Sequence, residues 1–332
     1  MSSTITLIPL IAALISVNQT IHLPSTVSMD FLAINDSQKA LCEAYYADPA
    51  MLNKFSPDEY ATCASEHIEK VNGFLETEGF SARLSPGSEA ALYVAARLKI
   101  KFQWPTIGHQ GSLSAVGVDY PSVRFEQQSG HDFRVYQVTG CSEISEVLSV
   151  RATNGDEICM AMPQGDTVFE RFALLEAISR WEGAKGTLSN YDSATFPMVD
   201  IDDAVDASWL RGLKAQGPIN FVKGGAICSL GSRGPVLYEI GQAVQQTKFQ
   251  MNHKGAAVES AAAMEILDVD GPGEKEYHAF VINRPFYLWI MRQGIATPVF
   301  AAFIDQADWK MPVHTDTVFH PRRSEAKCCC LQ

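Results

Sequence analysis

A chain of 332 residues, 46% of them hydrophobic, is long enough for one large folded domain or two ordinary ones, and this composition excludes a disordered or fibrous protein. The formal net charge of −12 argues against a protein that binds nucleic-acid phosphates, because the sequence has no basic stripe longer than Arg322-Arg323. We interpret the acidic balance as a source of solubility.

The cysteine pattern fits neither a disulfide framework nor a zinc site. Five cysteines are scattered through the body of the chain without a Cys-x-x-Cys pair, and three more stand together near its end. They are Cys42, Cys63, Cys141, Cys159 and Cys228, followed by Cys328, Cys329 and Cys330. We therefore expect a reducing compartment. The histidines are also dispersed, and no hydrolase, zincin or calcium-loop motif is present, so we expect no metal, no cofactor and no enzymatic activity.

The apolar run at residues 5–17 permits two interpretations. It has about the length of a signal peptide, and the sequons at Asn18 and Asn35 fit a secreted protein. No lysine or arginine precedes the run, however, and it is too short to cross a bilayer. We favour a buried strand followed by a helix and a cytoplasmic protein, with a signal peptide and secretion as the alternative.

The next hundred residues predict helices followed by one long strand. Residues 39–61 favour helix, and residues 58–76 predict an amphipathic helix because their apolar side chains recur at steps of three and four. Residues 84–87 have the composition of a turn. Residues 90–102 then predict a strand that ends before Trp104.

The middle of the chain alternates short strands with turns. Four apolar segments between residues 122 and 163 are separated by glycine or Asn-Gly, which predicts an antiparallel sheet. Residues 167–181 predict a core helix, residues 197–204 a strand and residues 208–216 a second helix. Residues 224–235 form a glycine-rich segment without a phosphate-binding pattern, which we interpret as a loop.

Residues 252–290 combine a small-residue run, a polar loop and an apolar strand. Helix propensity favours a helix for the small-residue run, which begins at Gly255. A period of two is equally consistent, because one face then carries only small or apolar side chains while Glu259 and Glu265 lie on the other. Helix, loop and inserted strand therefore all remain open.

Residues 280–290, with the sequence FVINRPFYLWI, resemble the signature that follows the reactive loop of serpins. Lys254-Gly255 and the following alanines resemble the hinge of that loop, and the two motifs have the order and approximate spacing of the family. The signature residues are Asn283, Arg284, Pro285 and Phe286. The hinge residues are Gly255, Ala256, Ala257, Val258, Glu259, Ser260, Ala261, Ala262 and Ala263.

The resemblance implies an α+β serpin-like domain over residues 1–310, with a large, mostly antiparallel sheet, further β-sheets, packed helices and an exposed reactive loop at about residues 255–279. It also implies an inhibitor whose loop is cleaved by a protease and then enters the sheet as a new strand, a known case of strand addition. The partner is then a serine protease or a caspase, and no cofactor is needed.

Several features depart from the family. Little precedes the first apolar strand, so we expect the family's first helix to be absent, and residues 22–64 are too few for the usual early helices and one sheet strand. Ala96 and Gln245 occupy positions where the family has an asparagine and a histidine that bond across the opening strands. A serpin-fold protein that binds a ligand or acts as a decoy without inhibiting is therefore the alternative.

The residues on either side of the cleaved bond determine which protease is the target. Counting from Gly255 as the family does places that bond near Val269, between Asp268 and Asp270. With Gly271 following, this sequence resembles a caspase site, and cross-class viral serpins also present an aspartate there. An aspartate suits an arginine-lined pocket, so we expect Asp270 to determine specificity, with Asp268 second. The alternative is a solvated acidic loop.

The last residues indicate a lipid-modified tail. Residues 311–332 have little apolar content, and we expect them to be flexible. The final four, Cys329-Cys-Leu-Gln332, fit a C-a-a-X box whose terminal glutamine favours farnesyl on Cys329, although such short motifs also arise by chance. One lipid chain gives weak, reversible membrane binding, so we expect a cytoplasmic protein with peripheral membrane association.

We expect Cys329 to carry a farnesyl group when the full chain is expressed in eukaryotic cells, because the terminal tetrapeptide contains the transferase recognition pattern. Intact mass spectrometry of the wild type and of Cys329→Ser measures the modification. A wild-type mass equal to that of the unmodified chain would contradict the prediction.

Overall fold

The computed structural model describes most of the chain. The described residues are 3–21, 30–48, 51–65, 67–86, 93–129, 132–205, 207–217, 220–223, 226–229, 236–243, 245–257 and 278–312. Within these ranges the chain forms four α-helices and six β-sheets. The prediction of an α+β fold with one large antiparallel sheet and further sheets is confirmed.

The helices and strands are numbered in chain order. The helices are α1 (Leu7–Ile21), α2 (Asp36–Ala47), α3 (Ile68–Thr77) and α4 (Arg171–Ala184). The first strands are β1 (Ser3–Ile5), β2 (Asp30–Leu32), β3 (Tyr60–Ser65), β4 (Tyr93–Leu98), β5 (Lys101–Gln103), β6 (His109–Ala115), β7 (Val118–Glu126), β8 (Phe133–Val138), β9 (Glu146–Arg151), β10 (Glu157–Ala161) and β11 (Lys185–Ser189). The remaining strands are β12 (Ser193–Pro197), β13 (Val199–Val205), β14 (Lys214–Gly217), β15 (Asn220–Lys223), β16 (Ala226–Ser229), β17 (Val236–Glu239), β18 (Gln245–Asn252), β19 (Gly255–Ala257), β20 (Ala279–Val281), β21 (Phe286–Met291) and β22 (Phe300–Ile304).

These elements divide into two compact units. The first unit consists of Met1–Thr6, Lys99–Asp203 and Thr247–Val318, and the second of Leu7–Leu98, Ala204–Gln246 and Phe319–Gln332. Residues 247–257, which form the hairpin of the candidate functional site, lie in the first unit.

A seven-stranded sheet forms the core of the first unit. Its order is β1-β22-β21-β10-β9-β8-β11, and every neighbouring pair is antiparallel. Nearly every residue of β10 and β21 is buried, as expected for central strands covered on both faces. Helix α4 contributes Trp181, which lies 5.0 Å from Tyr287 and 5.8 Å from Trp289 between ring centroids.

Two four-stranded sheets complete the first unit. One has the order β20-β12-β7-β6, and the other has the order β13-β18-β19-β5. The sequence did not predict β6, because its residues HQGSLSA are mostly polar and exposed. It is an edge strand whose seven residues pair with β7 in a hairpin.

The second unit contains α1 to α3 and shorter strands. Strand β3 pairs with β4 over six residues, and α3 buries Val71 and Leu75 against Ala95. Gln38 is fully buried on α2, and its side-chain amide donates to the carbonyl oxygens of Trp209 (2.9 Å) and Arg211 (3.1 Å).

The apolar run at residues 5–17 is a buried strand and helix, as the favoured interpretation predicted. Strand β1 pairs with β22, and Leu7, Ile8 and Ile11 of α1 are buried. In the part of the chain that the structure describes, no helix has both the length and the apolar character needed to span a bilayer.

Three predictions of helix were wrong in part. Residues 58–76 begin with strand β3, because pairing with β4 outweighs the helical pattern, and the helix starts only at Ile68. Residues 208–216 form a single 3₁₀ turn, which ends before Gly212 (φ +81°) and is followed by strand β14. Residues 39–61, which favour helix by their sequence, contain most of α2, one 3₁₀ turn and the start of strand β3.

Two predicted stretches are divided more finely than expected. Residues 90–102 contain two strands, since β4 pairs with β3 whereas β5 pairs with β19. The glycine-rich segment at 224–235 contains strand β16, which forms an antiparallel pair with β15.

A buried ion pair links the turn before β10 to the end of β21. The Arg292 guanidinium donates to the Asp156 carboxylate, with Nη2 2.7 Å and Nε 3.2 Å from Oδ2. The side chains are only 8% and 4% exposed. Removal of either partner would leave the other as a charge without its counter-ion in the core.

We expect Arg292→Met to lower the free energy of unfolding by about 3–5 kcal/mol, because Asp156 loses its buried counter-ion. Arg151→Met is the matched control, since its ion pair with Glu157 is 44% and 30% exposed. The control should change stability by no more than about 1 kcal/mol. Denaturant unfolding of both variants gives the comparison, and equal losses would contradict the prediction.

Candidate functional site

The first three hinge residues form a strand between two others. Strand β18 turns at His253-Lys254 and returns as β19, with Asn252 opposite Gly255 and Met251 opposite Ala256. On its other side β19 pairs with β5. Of the three interpretations left open by the sequence, strand is correct for Gly255–Ala257.

Small residues make this close pairing possible. A Cβ added at Gly255 would overlap the carbonyl oxygen of Phe102 and would lie 3.2 Å from Cα of Gln103. Ala256 is 0% exposed, between Phe102 and Met251, which are also buried. The position of Ala256 agrees with the small, inward face that the period of two predicted.

The turn between β18 and β19 is anchored through three consecutive carbonyl groups. The indole Nε1 of Trp104 donates to the carbonyl oxygen of Asn252 (2.9 Å). The backbone N–H of Gly108 donates to the carbonyl oxygen of His253 (2.8 Å), and the backbone N–H of Trp104 donates to the carbonyl oxygen of Lys254 (3.1 Å). Inside the turn, the backbone N–H of Lys254 donates to Oδ1 of Asn252 (2.9 Å).

Aromatic packing holds Trp104 in place. Its side chain is 5% exposed and makes edge contacts with Phe125 (5.6 Å between centroids) and Phe196 (6.4 Å). The sequence predicted that Trp104 closes the long strand, and the structure adds its role as a double donor to the turn.

His253 is buried in the turn between β18 and β19. Its ring is 6% exposed, and Nε2 of Gln110 lies 2.8 Å from its Nδ1 and 3.1 Å from its Nε2. Burial, with a smaller effect from the charge of Lys254, holds the pKa of His253 below its ordinary value. The neutral ring is therefore the favoured form in this site.

The other edge of β18 is joined to β13 by polar side chains. Gln250 Nε2 donates to Asp200 Oδ1 at 3.0 Å, and Lys248 Nζ lies 3.2 Å from Asp202 Oδ2. On the buried face, the ring of Phe249 stacks on Phe300 with centroids 4.8 Å apart. Strand β18 is thus fixed on the side away from the hinge.

The chain re-enters the fold at a different sheet. Residues 258–277 connect β19 to β20, which pairs in parallel with β12. His278 stacks on Tyr191 at 4.6 Å, and the Tyr191 hydroxyl donates to Glu146 Oε1 (3.1 Å). Both ends of the connecting segment are therefore anchored.

The signature residues connect β20 to the core sheet. Asn283 and Arg284 are exposed, and Pro285 is half-buried. Phe286 is fully buried and begins β21.

Several predicted residues lie outside the described part of the chain. They are the hinge residues Val258, Glu259, Ser260, Ala261, Ala262 and Ala263, the loop residues Asp268, Val269, Asp270 and Gly271, and the tail residue Cys329. Ala96 lies in β4 opposite Thr62, and Gln245 is the first residue of β18.

The structure also describes groups that bear on metal binding. Among the described residues, no group of three or more histidine, cysteine, aspartate or glutamate side chains is arranged to hold a metal ion. The polar groups gathered around the hinge bond to the protein backbone or to one another.

Comparisons with known proteins relate this arrangement to a fold. No protein-family model matches the chain, and no curated protein matches it by sequence. Native protease nexin-1, solved with heparin, superposes with a TM-score of 0.52 at 12% identity over 92% of each chain. Human thyroxine-binding globulin in complex with thyroxine gives 0.50 at 12% identity over 91% of each chain. Serpin48 of the insect Tenebrio molitor gives 0.49 at 12% identity over 91% of each chain.

Protease nexin-1 and thyroxine-binding globulin are both serpins. The chain has the serpin fold. In this structure Gly255–Ala257 pair between β18 and β5, and residues 258–277, where the sequence predicts the reactive loop, lie outside the described part of the chain. The sequence signature and the hinge motif thus led to the correct fold. The turn that carries His253 was missed, although a two-residue connection between a strand and Gly255 is itself a hairpin signal.

We expect Gly255→Ala to destabilise the β18–β19 hairpin by about 1–3 kcal/mol, because the added methyl group overlaps backbone atoms of Phe102. Amide hydrogen exchange over residues 245–257 measures the loss of pairing. Gly241→Ala is the control, since a Cβ there meets nothing within 4 Å. Wild-type protection in Gly255→Ala would contradict the prediction, because it would show that the close contact with Phe102 does not restrict residue 255 to glycine.

Proposed function

We propose that the chain inhibits a serine or cysteine protease of the caspase or granzyme type by the serpin route. The protease cleaves the reactive loop, and the hinge then enters the sheet as an additional strand and carries the attached enzyme with it. One observation supports this proposal above the others. In the uncut chain, Ala256 is already fully buried in a strand between β18 and β5.

Insertion of the hinge as a strand is favoured when its inward face carries small or apolar side chains. Each backbone hydrogen bond gained contributes about 1 kcal/mol net. An unpaired charge on the inward face would cost several kcal/mol. Beyond Ala256 the residues on the same face are Val258, Ser260 and Ala262, which are small or apolar, whereas Glu259 and Glu265 fall on the opposite face.

The target class is proposed from the loop sequence. Asp270 is the proposed specificity residue and Asp268 the second. An aspartate that enters an arginine-lined pocket gains a charge-assisted hydrogen bond of about 1.5–3 kcal/mol.

A second candidate is a serpin-fold binding or decoy protein that no longer inhibits. Thyroxine-binding globulin has this fold and is a ligand-binding protein by its name. The observation that favours this candidate concerns Ala96, which lies opposite Thr62 in the two-stranded β3–β4 sheet and cannot form the side-chain hydrogen bond that the resemblance places at this position.

The proposed location follows from the tail. A caspase target and a farnesylated Cys329 both favour a cytoplasmic protein, to which the single lipid chain would add weak membrane attachment. Secretion remains the alternative proposal, and the two sequons near the N-terminus are its basis.

We expect the purified chain to lose its intact loop, form an SDS-stable complex and reduce protease activity when it is incubated with caspases or with granzyme B. The melting temperature should rise after loop cleavage, because the inserted strand adds backbone pairs and buried surface. Cleavage with neither a complex nor lost protease activity, and with an unchanged melting temperature, would exclude the inhibitor and favour the decoy.

Matched variants separate the effect of hinge insertion from the effect of the loop sequence on which protease cleaves it. Ala256→Glu places a charge at a fully buried hinge position and should allow cleavage while abolishing the complex. Ala173→Glu on the exposed face of α4 is the control and should behave as wild type. Asp270→Ala should slow cleavage by aspartate-specific proteases more than Asp268→Ala.

A further inference from the structure

His253 occupies the two-residue turn from which the hinge starts. The ring is 6% exposed, and Nε2 of Gln110 lies within 3.1 Å of both ring nitrogens. A neutral imidazole has one bare nitrogen that accepts a hydrogen bond from this amide, whereas a charged imidazole has none. Protonation therefore removes the acceptor and buries a charge at the same time.

The charged groups on the neighbouring elements do not favour an imidazolium. Lys254 follows the ring in the chain, and its charge acts against protonation. On β6, His109 adjoins Gln110, and on β7 Arg124 lies opposite His109 and forms an ion pair with Glu126. On β13, Asp200 accepts a hydrogen bond from Gln250, and Asp202 forms an ion pair with Lys248.

Movement of the ring is coupled to the hinge through the backbone. The His253 carbonyl accepts from Gly108, and the next carbonyl accepts from Trp104. Gly255 is two residues away, and its backbone lies so close to Phe102 that a Cβ there would overlap the Phe102 carbonyl oxygen. We infer that displacement of the ring shifts this turn and, with it, the register of β19 against β5.

We propose that His253 acts as a pH-sensitive catch that keeps the hinge paired in the sheet while the ring is neutral and releases it when the ring is protonated. This inference deepens the proposed function, on which it rests for the role of the hinge.

The direction of the pH dependence follows from linkage. Burial lowers the pKa of His253 in the paired state, so the released state binds more protons. Pairing is then complete above the ordinary histidine pKa of about 6.5 and weakens as the pH falls below it. One proton changes the equilibrium between paired and released hinge by at most about tenfold per pH unit.

The test is amide hydrogen exchange over residues 245–257 at pH about 7.5 and about 5.5, values that bracket the ordinary histidine pKa, with the intrinsic exchange rates corrected for pH. We expect the protection factor of the hinge to fall severalfold at the lower pH in the intact wild-type chain. Protection of β10 and β21 should remain constant, which separates hinge release from global acid unfolding.

Three variants make the test specific. His253→Gln cannot be protonated and should remove the pH dependence. Gln110→Glu supplies a carboxylate that pairs with the charged ring, so the hinge should stay protected at the lower pH. His278→Gln, at the other end of the loop, is the control and should keep the wild-type pH dependence.

The proposal is overturned if the wild-type hinge shows the same protection at both pH values, or if His253→Gln retains the wild-type response. Loss of protection throughout the fold in His253→Gln would make Gln110→Glu the deciding variant. A wild-type pH dependence of hinge protection in Gln110→Glu then overturns the proposal. No protease is present in this experiment. A pH-dependent hinge in a chain that traps no protease would therefore refute the proposed inhibition and leave the catch intact.

Discussion

The arrangement of the candidate site depends on three carbonyl groups in one turn. Trp104 and Gly108 donate to the carbonyl oxygens of residues 252, 253 and 254, and these bonds set the direction in which the chain leaves β18. Because the turn is fixed, Gly255 and Ala256 are brought against β5 at a separation that only the smallest side chains permit. The constraint explains why a glycine stands at the start of the hinge.

The rest of the first unit supplies a rigid support for that turn. Trp104 is packed against Phe125 of β7 and Phe196 of β12, so the donors to the turn are fixed by the aromatic core of a second sheet. Phe249 of β18 stacks on Phe300 of β22, which belongs to the seven-stranded sheet. The hinge strand is therefore surrounded by elements that are held by aromatic packing outside β19.

Much of this could be predicted from the sequence, and the failures have identifiable physical causes. Residues 280–290 and the Gly255 hinge carry family-specific patterns, and the buried strands β21 and β22 are apolar throughout. Helix propensity gave the wrong prediction where strand pairing decides the structure, as at residues 60–65, which pair with β4. The contact between Gln110 and His253 joins residues 143 positions apart, and no local pattern encodes it.

The short length of β19 has a consequence for the order of events after the loop is cut. Closing the first pairs of a new strand carries the loop-closure entropy, and here the pairs at residues 255–257 are already closed. In the proposed mechanism, insertion would then proceed by the addition of one residue pair at a time. In the uncut chain each added pair would shorten the connection of residues 258–277 that leads to β20, and an extended chain spans at most about 3.3–3.6 Å per residue. The length of this connection would thus limit insertion until a peptide bond is broken, and hydrolysis would act as the trigger because it removes that limit.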